Sequence, residues 1–262
     1  MTTEELLSMD RQRERWDRAR RSLHLQDVEN DAFGTGGIAA RLPDLSVRLV
    51  ILPADPDARR VEFDEAFVAW WMGDFDDPIA GTPMRWGTSY RPSATAAARC
   101  EPAGDGAFYR YAAVRHDGGL DVGLGTECGC RNKESAAFWL LPTVGRVWSA
   151  CHLYNSVIQR LEVDGPWELT LALRGTRQAV LGGFAEGWEE PEYSFRRAAS
   201  ICEEQNLILR RELPSLGDDW ARSVAFSFGA QIEDAFGSKL RRFKADRGKF
   251  AREFDRGKYR WE

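Results

Sequence analysis

Between residues 143 and 161, Val144, Val147, Cys151, Tyr154, Ile158 and Leu161 recur at spacings of 3, 4, 3, 4 and 3. That period puts an apolar stripe on one face of a helix and constrains whatever lies around it. On both sides the chain changes to short β-branched or alternating runs. Ser46–Leu52 (SVRLVIL) reads as a strand closed by Pro53, and Phe63–Met72 as a short helix. Ala107–Arg115 and Leu120–Leu124 flank His116-Asp117-Gly118-Gly119, a hairpin signal because Asp-Gly suits the turn that matches strand twist. Trp167–Leu173 and Gln178–Phe184 flank Arg174-Gly175-Thr176-Arg177 and predict a second hairpin. A strand is expected at Asn206–Leu213 and a helix at Asp218–Phe236, with Trp220, Ala221, Val224, Phe228 and Ile232 on one face. Residues 73–106 read as loop, with one strand near Met84–Tyr90. The expected class is α+β, a mainly antiparallel sheet with packed helices. The strand–helix alternation of a doubly wound parallel sheet is absent.

An amphipathic helix over residues 3–25 is expected ahead of this unit. Thr2 and Glu5 suit a capping box, and Met9, Trp16, Ala19 and Leu23 form a narrow apolar seam. Such a seam covers another surface. Residues 30–43, with Gly34, Gly36 and Gly37, read as a connector, so 1–30 is taken as an N-terminal arm and 31–262 as one domain with a basic tail at 238–262.

The net charge of −5 is a sum of unlike parts. Residues 11–21 carry net +4 and residues 238–262 net +6, which leaves the rest near −15. Basic ends on an acidic middle suit self-association, a polyanion, or a partner of the opposite pattern. No run of 18 apolar residues is present to span a bilayer, so no membrane contact is expected. Five cysteines, an odd number in a long chain, fit a reduced cytoplasm better than a disulfide framework.

Catalytic chemistry finds little support. Gly34-Thr35-Gly36-Gly37-Ile38-Ala39 matches a loose dinucleotide pattern, but no strand delivers it to a helix N-terminus. Gly123-x-Gly125 has the same weakness, so no cofactor is expected. Cys128-Gly129-Cys130 with Cys100, Cys151 and His152 departs from the spacing of zinc sites, and no metal is assigned. The histidines, His24, His116 and His152, lack an evident nucleophile partner. Asp74, Asp76 and Asp77, or Glu186, Glu189 and Glu190, could gather metal ions in a nuclease, although no lysine accompanies them at suitable spacing. A solvated acidic loop is the favoured explanation of both clusters, as for charge runs in general.

The runs GPWELTLALRGTRQAVLGGFAEGW (from Gly165), CEEQNLILRREL (from Cys202) and ARSVAFSFGAQIEDAFG (from Ala221) resemble the C-terminal region of certain bacterial proteins. Those proteins carry a Schlafen/AlbA-like nucleic-acid- or ATP-binding module at their N-terminus. The resemblance spans about residues 105–262 and includes no catalytic motif. It implies an accessory or sensor role in a multi-component bacterial system, of the phage-defence type, and carries over no functional residue. The acidic signature and lysine of the N-terminal module are not present.

Three readings follow. The first is a non-catalytic accessory or regulatory protein acting through protein contacts or homo-oligomerisation, with Trp16, Trp70, Trp71 and Trp261 as anchors. The second is nucleic-acid binding through residues 11–21 and the tail, where Phe243, Phe250, Phe254, Tyr259 and Trp261 interleave with cations. Arg241, Arg242, Lys249 and Lys258 would meet phosphates there. The third is a metal-dependent nuclease effector using one carboxylate cluster.

Overall fold

The computed structural model describes residues 41–53, 61–79, 86–93, 96–104, 106–125, 128–131, 136–182, 201–238 and 243. The predicted N-terminal helix lies outside them.

The strand-like run at 46–52 becomes β1 (Ser46–Pro53), and it is central. Around it lie β2 (Ser89–Pro92), β3 (Ala96–Gly104), β4 (Ala107–Arg115), β5 (Leu120–Leu124), β8 (Trp167–Arg174) and β10 (Asn206–Leu213). These make a seven-stranded sheet in the order β10-β8-β1-β5-β4-β3-β2, antiparallel throughout. A smaller sheet joins β6 (Gly129–Arg131), β7 (Ala136–Trp139) and β9 (Ala179–Gly182), with β7 and β9 parallel. The helices are α1 (Glu65–Trp71), α2 (Leu140–Leu161) and α3 (Trp220–Ala235).

Alternation along each strand sorts side chains between two faces. Val47, Leu49 and Ile51 of β1, Val122 of β5 and Leu171 of β8 point to the side where α2 places Val144, Val147 and Cys151 and α3 places Val224, Phe228 and Ile232. The stripe read from the sequence is therefore the core-facing stripe of α2. The helix begins at Leu140, three residues earlier than the periodicity predicts. Pro142 is tolerated because the first turn has no intrahelical use for its missing N–H. It ends at Glu162, a left-handed residue (φ 49°) whose N–H returns to the Ile158 carbonyl. Trp220 Nε1 donates to Asn155 Oδ1 at 2.7 Å and joins α3 to α2.

The first predicted hairpin is present as β4–β5. Tyr154 of α2 donates to the Gly118 carbonyl in its turn at 3.2 Å. The second is not a hairpin. Both edges of β8 are taken by β1 and β10, and the segment after it leaves for the smaller sheet, where β9 runs beside β7. Gly175 (φ 73°) and Gln178 (φ 60°) turn the chain away, and Thr176 Oγ1 donates to the Glu204 carbonyl at 2.7 Å. Residues 73–106 also hold more order than expected. β3 runs for nine residues there, with Ala97 and Ala98 filling interior positions.

The opposite face of the large sheet carries a buried polar triad. Arg48 Nε and Nη2 donate to Asp121 at 3.0 and 2.7 Å, and Tyr111 Oη donates to the same carboxylate at 2.8 Å. Gly123, in register with Arg48 and Tyr111, leaves room for the Tyr111 ring; a Cβ there would overlap it and Leu42. The Gly123-x-Gly125 pattern is thus a packing device. Gly123→Ala is expected to destabilise the fold by about 1–3 kcal/mol through overpacking, measured by urea denaturation. Unchanged stability would mean that the ring has another place to go.

Candidate functional site

Asp64 sets the start of α1 by accepting from the Phe67 N–H at 2.7 Å, and Glu65 in the first turn complements the helix dipole. Helical spacing then points Phe67 and Trp71 into the core and leaves Trp70 half-buried. Trp70 lies edge-on to Phe75 (centroids 5.4 Å, 88°) and beside Phe67 (5.4 Å). Phe67 meets Phe63 at 5.0 Å, and Phe63 lies against the His116 ring at 4.2 Å. His116 Nδ1 is 2.7 Å from the Val61 carbonyl, which can only accept, so that nitrogen carries the proton. The result is an aromatic ledge of linked rings from the hairpin turn to the end of α1, half-buried at His116, Phe63 and Trp70 and joined beneath the surface by the buried Phe67.

A cation already rests on this ledge. Arg160, exposed in the last turn of α2, has its guanidinium carbon 6.0 Å from the Trp70 ring centroid. Glu62, Asp64, Glu65, Asp74 and Asp76 are exposed in the same chain segment. Half-exposed rings beside carboxylates offer what a Lys- or Arg-rich segment needs: π faces for the cation and aliphatic stem, and anions for its charge.

The ledge is held from beneath by Arg99 of β3, a fully buried residue that sequence reasoning passed over. Its Nη1 donates to the carbonyls of Trp71 and Gly73, and its Nε and Nη2 to the Gly87 carbonyl at 3.2 and 3.1 Å. The guanidinium also sits 5.8 Å from the Trp71 ring centroid and 5.7 Å from that of Phe75. It closes the C-terminus of α1 and ties it to the approach of β2. The one available signal was a lone Arg inside an alanine run.

The other expected site residues fare differently. Trp71 is 0% exposed and belongs to the core, which corrects its assignment as a partner anchor: the residue next to Trp70 on a helix faces another way. Trp16 and Trp261 lie outside the described residues, as do Arg241, Arg242, Lys249, Lys258, Glu186, Glu189 and Glu190. The cluster Asp74, Asp76 and Asp77 is split. Asp77 is buried, and its Oδ1 accepts from the Ile79 N–H at 2.8 Å and from Ser149 Oγ at 3.0 Å, while Asp74 and Asp76 are exposed. Asp77 thus pins the loop to α2 instead of sharing an ion with its neighbours. Of the tail rings, Phe243 is 0% exposed and edge-on to Phe226 (5.5 Å, 67°), with its N–H donating to Glu233 Oε2 at 2.9 Å. At that position the ring serves the core.

No family model, curated protein or solved structure matches the chain. The chemistry of the described side chains is thus the basis for a functional reading. Among the described residues no three His, Cys, Asp or Glu side chains gather as a metal site requires. Cys100, Cys128, Cys151 and Cys202 are buried free thiols. Burial pushes the Cys100 thiol up to about 11, against the pull of Arg91 and Arg41, and raises Cys151 further still. Neither is poised as a thiolate nucleophile. Among the described residues no helix is long and apolar enough to cross a membrane.

Proposed function

We propose that this chain is a non-catalytic accessory or regulatory protein that works through protein–protein contacts, receiving a basic segment of a partner on the aromatic ledge of α1. The observation that carries this reading is the Arg160 guanidinium over the half-exposed Trp70, beside exposed carboxylates. A ring that already takes one guanidinium has the chemistry for another. The resemblance to regions behind Schlafen/AlbA-like modules supplies the setting, a multi-component bacterial system. The basic segments of the chain itself, 11–21 and 238–262, make a second copy one partner of suitable charge.

Synthetic peptides of residues 11–21 and 238–262 are the probes, titrated calorimetrically into the full-length protein. Trp70→Ala is expected to weaken binding about tenfold, in line with a desolvated cation–π contact. Glu62→Gln with Asp74→Asn is expected to reduce the salt dependence. Peptide binding indifferent to all three substitutions would remove the ledge from the reading. Single-stranded DNA is the second ligand to titrate. Tight, steeply salt-dependent DNA binding that disappears when Arg241, Arg242, Lys249 and Lys258 are neutralised would replace the protein-docking reading with the nucleic-acid one.

A further inference from the structure

Arg160 and Arg222 each lie over a tryptophan ring, and they are held differently. Arg222 of α3 has its guanidinium carbon 6.0 Å from the Trp148 ring centroid and is clamped by Asp219, to which its Nε donates at 2.9 Å and its Nη2 pairs at 2.7 Å. Arg160 stands at the same 6.0 Å from the Trp70 centroid but is exposed, and among the described residues no carboxylate pairs with it. An exposed guanidinium held by a ring alone is held weakly, by about two- to fivefold in an equilibrium constant.

The frame that brings the two residues together is tied by several bonds. The Val61 N–H donates to the His116 carbonyl at 2.8 Å and His116 Nδ1 donates to the Val61 carbonyl at 2.7 Å, so the entry to α1 is fastened to the β4–β5 turn. From the other side, Tyr154 Oη donates to the Gly118 carbonyl at 3.2 Å, and Val163, two residues past α2, comes within 2.8 Å of where a Cβ on Gly118 would stand. Both partners of the contact thus hang on one turn. The fold delivers Arg160 to Trp70, and only its side chain is free to leave. Leaving does not strand the charge, because the last turn of a helix favours a cation in water.

We infer that Arg160 is a built-in occupant of the ledge, covering the Trp70 ring in the free protein and displaced when an arginine of a partner segment takes its place. This rests on the reading of the ledge as a docking surface and adds how access to it is controlled. A tethered cation competes with every incoming one at an effective concentration set by its own short side chain. A single cation therefore gains little by exchanging with it. A segment carrying several cations offsets the exchange through its other charges, which meet Glu62, Asp64, Glu65, Asp74 and Asp76. Arg160 thereby selects strongly basic segments over isolated basic side chains.

The peptide of residues 11–21 is titrated calorimetrically into four full-length proteins: the parent, Arg160→Ala, Trp70→Ala and the double variant. Arg160→Ala is expected to bind about two- to fivefold more tightly than the parent. Removing any positive charge near the ledge would also favour a basic peptide, and the Trp70→Ala background separates the two effects: exchange at the ring predicts no gain there. A gain of equal size in both backgrounds, unchanged affinity, or weaker binding by Arg160→Ala overturns the inference and leaves the ledge standing as a docking surface. Absence of binding to both the parent and Arg160→Ala overturns the reading of the ledge itself, and the inference with it. A second measurement needs no variant at Trp70. The Arg160 Nε–Hε NMR signal of the parent, assigned by its loss in Arg160→Ala, is expected to move toward the position of a free arginine as peptide is added. A signal unmoved at saturation overturns the inference.

Discussion

Arg99→Met is expected to destabilise the protein by about 3–5 kcal/mol and to lower Tm by on the order of 10 °C. Methionine fills much of the same space but donates nothing. The carbonyls of Trp71, Gly73 and Gly87, now bonded to the guanidinium, would stay buried without those donors. Arg99→Lys should recover only part of the loss, because an ammonium cannot span carbonyls on both sides as the planar fork does. Denaturant titration of the three proteins measures this directly. The peptide titration should respond as well, since α1 is positioned through its C-terminal carbonyls. A variant with parental Tm would mean that water or a neighbouring donor satisfies those carbonyls, and that Arg99 does not place the ledge.

Asp121→Asn is expected to remove about 3–5 kcal/mol by taking away the carboxylate charge that faces the buried Arg48 guanidinium. The double variant Arg48→Met with Asp121→Leu should be far less damaged than Asp121→Asn, since it removes both charges together. The same pair predicts a pH dependence. Burial disfavours the ionised carboxylate of Asp121, but the Arg48 charge with hydrogen bonds from Arg48 and Tyr111 outweighs it and holds the carboxyl below its usual value. Such a group contributes its full stability above its unfolded pKa of about 3.9, and that contribution is lost as the pH falls through the lower folded value. Stability of the parent protein should therefore drop below about pH 4. Asp121→Asn, which has nothing to titrate at this position, should show a shallower acid limb. Parallel acid limbs in parent and variant would show that the Arg48–Asp121 pair makes no net contribution.

Much of the fold was legible from local pattern. The stripe at 144–161, the Asp-Gly turn after β4 and the β-branched run of β1 were each read correctly, because helix period, turn chemistry and strand propensity are properties of neighbouring residues. Strand pairing was legible only where the turn is short. Between β8 and β9 the four residues resemble a hairpin loop, yet the partner of β8 is chosen by competition with β1 and β10, and that choice leaves no mark in residues 174–177. β3 was missed because alanines in a strand have low propensity and earn their place by fitting a close-packed interior.

The candidate site was less legible than the fold, for the same reason. Trp70 and Trp71 are indistinguishable as letters, and the direction of α1's axis decides that one is half-exposed and the other is core. Asp77 looks like its neighbours until Ser149, seventy-two residues later, accounts for its carboxylate. Arg99 carries no motif at all; its importance arises from three carbonyls brought to it by two other segments.

By itself, then, the sequence determined the class: an α+β unit with a mainly antiparallel sheet, a core-facing central helix and unequal charge along the chain. Those follow from periodicity and composition, which are local and additive. The tertiary structure alone decided which strands are neighbours, which tryptophan meets solvent, and which charges are spent on holding the interior together. Those depend on contacts between residues far apart in the chain, and a buried charge or a half-exposed ring has no meaning until its surroundings are in place.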